Sequence, residues 1–166
     1  MKIQLKAGMA ALALALVAFA AAPSAEAKTL TYRVVLNGKS ETPATTSKGT
    51  GHGTVKYDDV TKELSWNITY SGLTGDATAA HFHGPAKPGV AAGVMVPVGP
   101  KGGAIISPIV GSSTLTDDQA TALTGGLMYF NVHTAANPAG EIRGQVVKAG
   151  GMKMKMPMKK DAAPKQ

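Results

Sequence analysis

Residues 63–70, ELSWNITY, alternate between apolar and polar side chains at every position. The apolar residues lie two apart, which is the side-chain period of a β-strand with one buried face. This alternation predicts an antiparallel strand that is buried on one face, with its polar side chains turned outward; the buried face carries Leu64, Trp66, Ile68 and Tyr70.

Other short segments rich in β-branched or aromatic residues recur along the chain, between turns that contain Gly, Pro or Asn. They span residues 29–36, 49–57, 78–83, 127–133 and 141–147. Two further apolar runs, at residues 94–98 and 104–110, are separated by GPKGG and predict a hairpin. The whole pattern predicts an all-β fold, a Greek-key antiparallel β-sandwich or flattened barrel of about seven or eight strands.

One short helix interrupts the predicted strands. Thr116 precedes Gln119 by three residues, the spacing of a capping box, in which each residue hydrogen-bonds the backbone N–H of the other. The helix is predicted to end near Leu123, because Gly125 and Gly126 follow.

The first 27 residues have the layout of a secretory signal peptide. Two lysines precede an apolar run over residues 7–22, and Ala25 and Ala27 supply the small residues of a cleavage site. The run is shorter than the roughly 20 residues that a membrane-spanning helix needs. Cleavage after Ala27 predicts a periplasmic or secreted mature chain that keeps no transmembrane anchor.

Composition narrows the classes of site that the mature chain can build. The absence of cysteine excludes disulfides, thiol nucleophiles and thiolate metal sites. Most of the formal net charge of +7 lies in residues 149–166, which have no apolar periodicity and are predicted to be disordered. The remaining domain, residues 28–148, is nearly neutral and has no basic stripe with interleaved aromatics, so no nucleic-acid partner is predicted.

Several motifs together resemble one known family. They are LNGKSETP at residues 36–43, SGL at 71–73, AHFHGPA at 80–86, YFNVHT at 129–134 and NPAGEIRGQ at 137–145. This ordered set resembles the CHRD domain, a module named from the secreted vertebrate protein chordin and also found in exported bacterial proteins. The resemblance implies a β-sandwich that acts as a binding or structural module in the envelope or extracellular space, towards an unidentified partner.

Histidines are the strongest candidates for a binding site. His81 and His83 lie two apart on one strand and therefore share a face. His133 falls on the polar side of its own strand, so the three imidazoles meet on an outward polar surface if the strands are neighbours. Neutral imidazole binds Cu(II), Zn and Ni, which predicts a metal site, with His52 and Glu141 as further candidate ligands. The alternative is that these histidines only hydrogen-bond nearby backbone and fix the ends of the sheet.

A second candidate site lies near the C-terminus. Four methionines alternate with other residues there, at Met152, Met154, Met156 and Met158. Thioethers are soft ligands that prefer Cu(I), so the segment predicts copper binding. The alternative is a basic tail that is attracted to anionic surfaces through its lysines.

Enzyme signatures are absent from the sequence. It contains no G-x-S-x-G, P-loop, dinucleotide or H-E-x-x-H motif, so we predict a non-catalytic protein without catalytic residues. The alternative is a metalloenzyme of superoxide dismutase-like or oxidase type, which would require an open coordination position and redox turnover.

Overall fold

The computed structural model describes residues 26–99 and 104–150. Within these ranges it contains nine strands, one 3-10 turn at Gly38–Ser40 and one α-helix. In chain order the strands and the α-helix are β1 (Thr29–Asn37), β2 (Thr50–Asp58), β3 (Glu63–Ser71), β4 (Ala77–His83), β5 (Val94–Val98), β6 (Ile109–Thr114), α1 (Asp117–Thr124), β7 (Tyr129–Thr134), β8 (Ile142–Gln145) and β9 (Val147–Lys148). Most of the predicted signal peptide and the methionine segment lie outside the described residues.

The strands form one antiparallel sheet in the order β5-β4-β7-β8-β1-β2-β3-β6, and β9 also pairs with β1. Strands β3 and β4 are far apart in this order, yet Trp66 of β3 packs edge-on against Phe82 of β4, with ring centroids 5.3 Å apart. The sheet therefore curls until its two halves face each other across one core. The prediction of an all-β antiparallel fold with one short helix is confirmed.

The core follows the alternation seen in the sequence. Leu64, Trp66 and Ile68 of β3 are buried, as predicted, and Phe82 meets Phe130 of β7 with ring centroids 4.8 Å apart. The helix is also confirmed, since the predicted capping box closes its N-terminus with both reciprocal hydrogen bonds.

The predicted hairpin of residues 94–98 and 104–110 is wrong. β5 and β6 lie at opposite ends of the strand order, where β5 pairs with β4 and β6 pairs with β3. These pairings place Val96 opposite Phe82 and Ile109 opposite Ile68, all of them buried. Apolar cross-strand pairs over a core stabilise a sheet. The pairing therefore follows these contacts and not the order of the two strands in the sequence.

A buried carboxylate ties three connections of the sheet together. Glu141, fully buried just before β8, accepts five hydrogen bonds. The donors are Ser47 Oγ at 2.6 Å, Thr74 N at 2.8 Å, Thr74 Oγ1 at 2.6 Å, Thr134 Oγ1 at 2.6 Å and Asn137 Nδ2 at 3.2 Å. Burial alone would raise the pKa of Glu141, but these donors outweigh it and lower the pKa to about 2. The ionised carboxylate therefore holds the β1–β2, β3–β4 and β7–β8 loops in place.

This network predicts an acid-sensitive stability. Because the folded pKa lies below the ordinary value, stability from Glu141 is complete above about pH 4.5 and is lost as the pH falls towards 2. We expect Glu141→Gln to lower the free energy of unfolding at pH 7 by about 2–4 kcal/mol, since an amide cannot accept all five bonds. It should also flatten the pH dependence measured by urea unfolding between pH 5 and pH 2. The exposed Glu63→Gln is the matched control; equal pH profiles in both variants would contradict the assignment.

Candidate metal centre

The polar face of β4, β7 and β8 is built by register. His81 lies opposite Asn131, which in turn lies opposite Arg143. Two residues further along β4, His83 lies opposite Tyr129. Residues directly across an antiparallel pair project from the same side of the sheet. We call the resulting surface the polar face; it consists of His81, His83, Tyr129, Asn131, His133, Arg143 and Gln145.

Three imidazoles meet on the polar face. Ring centroids are 4.9 Å apart for His81 and His133, 5.4 Å for His81 and His83, and 6.1 Å for His83 and His133. One ring nitrogen of each histidine lies within 4.8 Å of those of the other two. The structure thus brings together the three histidines that the sequence predicted to converge.

Backbone carbonyls fix the orientation of two of the rings. His83 Nδ1 lies 2.9 Å from the carbonyl oxygen of Ala92, and His133 Nδ1 lies 3.0 Å from that of Pro138. A carbonyl oxygen only accepts, so each Nδ1 carries the hydrogen and each neutral ring presents the lone pair of Nε2. A carbonyl behind the non-ligating nitrogen is also the usual arrangement around metal-binding histidines.

The nitrogens that face inward are spaced for a ligand shell. His81 Nδ1 lies 3.0 Å from His133 Nε2, so in the metal-free protein His81 donates a hydrogen bond to His133. Two ligands on an ion with bonds of about 2.0–2.1 Å are also roughly 3 Å apart. His83 Nε2 is buried and has no hydrogen-bond partner among the described residues.

Burial favours the neutral form of His81 and His133. The pKa of His81 is lowered to about 4, first by loss of solvent and then by the neighbouring His133 and His83. Burial also lowers the pKa of His133, although the hydrogen bond to Pro138 acts in the opposite direction. Unprotonated imidazoles are the form that binds metal, so at neutral pH protons compete weakly for these nitrogens.

The polar face is covered by loops and is not the open surface that the sequence predicted. His83 and His133 are each only 8% exposed, while His81 is partly exposed. The β4–β5 loop, residues 84–93, lies over the face because polar side chains below bind its backbone. Arg143 Nη2 donates to the Val90 carbonyl at 2.7 Å, and Gln145 Nε2 donates to the Ala86 carbonyl at 2.9 Å.

Other candidate ligands from the sequence are not brought to this cluster. His52 lies exposed on β2, where its Nε2 is 3.5 Å from the Thr69 hydroxyl. Glu141 directs its carboxylate to the five donors described above, so it braces loops instead of joining the histidines. The four methionines, Met152 to Met158, lie outside the described residues.

Two neighbours of the cluster were missed by sequence reasoning. Asn131 is 2% exposed and lies on β7 among the histidines; its place two residues before His133 was the available signal. Glu41 is 7% exposed. Its pKa is raised, because the effect of burial exceeds the opposing effects of the Thr42 amide, Arg143 and Asn131. No local sequence pattern places Glu41 there, since it comes from the β1–β2 loop.

Comparison with known proteins gives one family match. The family model of the CHRD domain matches residues 32–146, a region that contains the whole polar face and its covering loops. No curated protein and no solved structure matches the chain. Among the described residues, no helix is long and apolar enough to cross a membrane. CHRD domains are in general non-catalytic. The match covers most of the chain, and the chain therefore belongs to the CHRD domain family.

Proposed function

We propose that this chain is an exported, non-catalytic CHRD module that binds one transition-metal ion through His81, His83 and His133. The observation that carries the proposal is His83 Nε2. Its lone pair is buried beside the other two imidazoles, and no donor in the described part of the chain reaches it. An unsatisfied buried acceptor costs about 1–3 kcal/mol, and a bound ion would remove that cost.

The donor set favours particular ions. Three neutral imidazole nitrogens suit Cu(II), Zn and Ni, whereas Mg and Ca prefer oxygen ligands. Among divalent first-row ions, nitrogen sites bind Cu(II) most tightly. We therefore propose copper as the ion of this site, with zinc as the ion that fits it next best.

Removal of any one imidazole should destroy the site. We expect His81→Ala, His83→Ala and His133→Ala each to weaken Cu(II) and Zn(II) binding at least about 100-fold, since even residues behind metal ligands contribute 10–100-fold. Competition titrations against a chelator of known affinity measure the change, and thermal unfolding without metal checks each fold. Cu(II) and Zn(II) are used because thioethers prefer Cu(I).

His52→Ala is the matched control, because His52 is an exposed histidine on another part of the sheet. It should bind metal as the wild type does. A wild type that binds neither ion, or a loss in His52→Ala equal to that of the others, would contradict the proposal. Dismutase or oxidase turnover by the copper-loaded wild type would favour the alternative of a metalloenzyme.

Export is supported by residues 1–27 and by the family, whose members include exported proteins. We expect the mature chain to begin at Lys28 and to be found in the periplasm or the medium. Intact mass and N-terminal sequencing of the protein from its native host measure this. A full-length species held in the inner membrane would contradict it.

The methionine segment adds a separate Cu(I) site to the proposal. Replacing all four residues by leucine keeps the length, the apolar volume and the lysine charges while removing the thioether ligands. The changes are Met152→Leu, Met154→Leu, Met156→Leu and Met158→Leu. We expect Cu(I) affinity to fall in a competition titration while Cu(II) binding at the histidines is unchanged. Unchanged Cu(I) affinity would leave the segment as a basic tether, whose binding to anionic vesicles weakens with salt.

A further inference from the structure

We infer that Asn131 Oδ1 is the fourth ligand of the ion, which makes the site a closed centre of three nitrogens and one oxygen. The inference rests on the proposed metal site and specifies its remaining coordination position.

The sheet register places Asn131 next to two of the three histidines. On β7 it lies directly opposite His81 and two residues before His133. Tyr129, two residues earlier, lies opposite His83. His83 is thus a diagonal neighbour of Asn131, and the ring centroids of His83 and His133 are 6.1 Å apart. Asn131 is therefore adjacent to His81 and His133 and diagonal to His83 on the same face.

Asn131 has an oxygen available for this role. The residue is 2% exposed, and its Oδ1 is buried without a hydrogen-bond partner among the described residues. An unpaired amide oxygen and an unpaired imidazole nitrogen, His83 Nε2, thus lie on the same small polar face. An unpaired buried acceptor is costly, and one cation that accepts lone pairs from both atoms would remove that cost at each of them.

Glu41 sets the direction of the amide. A Cβ added at Gly140 would lie 2.7 Å from Asn131 Nδ2 and would also collide with Glu41 Oε1, which places the amide nitrogen beside the carboxyl. The amide nitrogen is the donor, so it faces the carboxyl and leaves Oδ1 for the ion. Gly140, at φ +133°, has no side chain, and any Cβ at this position would collide with the Glu41 carboxyl and the Asn131 amide. Glu41 is thus a positioning residue for the ligand.

This donor set has a chemical consequence. Nitrogen and oxygen ligands in a four-coordinate site suit Cu(II) in tetragonal geometry and Zn(II) in tetrahedral geometry. Catalytic sites keep one position for water or substrate, whereas structural and storage sites fill all four. A site closed by Asn131 holds its ion without an inner-sphere water, which fits a binding module.

The test counts water on the ion. Full mature protein is loaded with Cu(II), exchanged into D2O and measured by pulsed EPR for deuterium of a directly bound water. We expect no such signal from the wild type and a clear one from Asn131→Ala, together with a 10–100-fold weaker Cu(II) affinity. Asn131→Asp keeps an oxygen ligand and should bind without the water signal. Asn67→Ala, at an exposed asparagine of β3, is the matched control and should match the wild type.

Glu41→Gln tests the positioning role, because a second amide no longer selects the direction of the first. We expect a smaller loss of affinity and a partial water signal. A bound water in the wild type, or an Asn131→Ala protein with wild-type affinity and spectrum, would overturn the inference while leaving the three-histidine site intact. A wild type that takes up no Cu(II) would overturn both proposals, and thermal unfolding of the metal-free variants identifies any that fail to fold.

Discussion

The ionised carboxylate of Glu141 is the interaction on which the polar face depends. Its hydrogen bonds with Thr134 and Asn137 fix the β7–β8 loop. That loop carries the Pro138 carbonyl, which binds His133 Nδ1 and turns Nε2 towards the other imidazoles. Glu141 does not touch the proposed ion, yet it determines the position of one of its ligands. The Pro138 carbonyl can orient the His133 ring only because Glu141 fixes the loop that carries this carbonyl.

Strand β7 explains why so many polar groups are buried. All six of its residues are buried, because its apolar side faces the core and its polar side lies beneath the loops. Burial of a polar side chain is costly unless it finds partners. Most of the polar face finds them in loop carbonyls, and the exceptions include His83 Nε2 and Asn131 Oδ1. A bound ion would give a partner to two of the acceptors that lack donors among the described residues, His83 Nε2 and Asn131 Oδ1.

Much of the fold could be predicted because local patterns carry it. The two-residue period of β3 and the capping box at Thr116 each require only a few adjacent residues, and both were confirmed. The pairing of β5 and β6 depends on which buried surface each strand meets, which sequence adjacency does not encode. Likewise, spacing alone placed His81 and His83 on one face, whereas Glu41 reaches Asn131 only through the path of a loop.

The central claim is that three imidazoles of a CHRD domain hold one metal ion. X-ray absorption at the metal edge of the Cu(II)-loaded or Zn(II)-loaded protein tests it most directly, since it reports the identity and distance of the ligands. The account predicts three imidazole nitrogens and one oxygen at about 2.0–2.2 Å. A shell that lacks imidazole scattering, or one made of water oxygens alone, would contradict it.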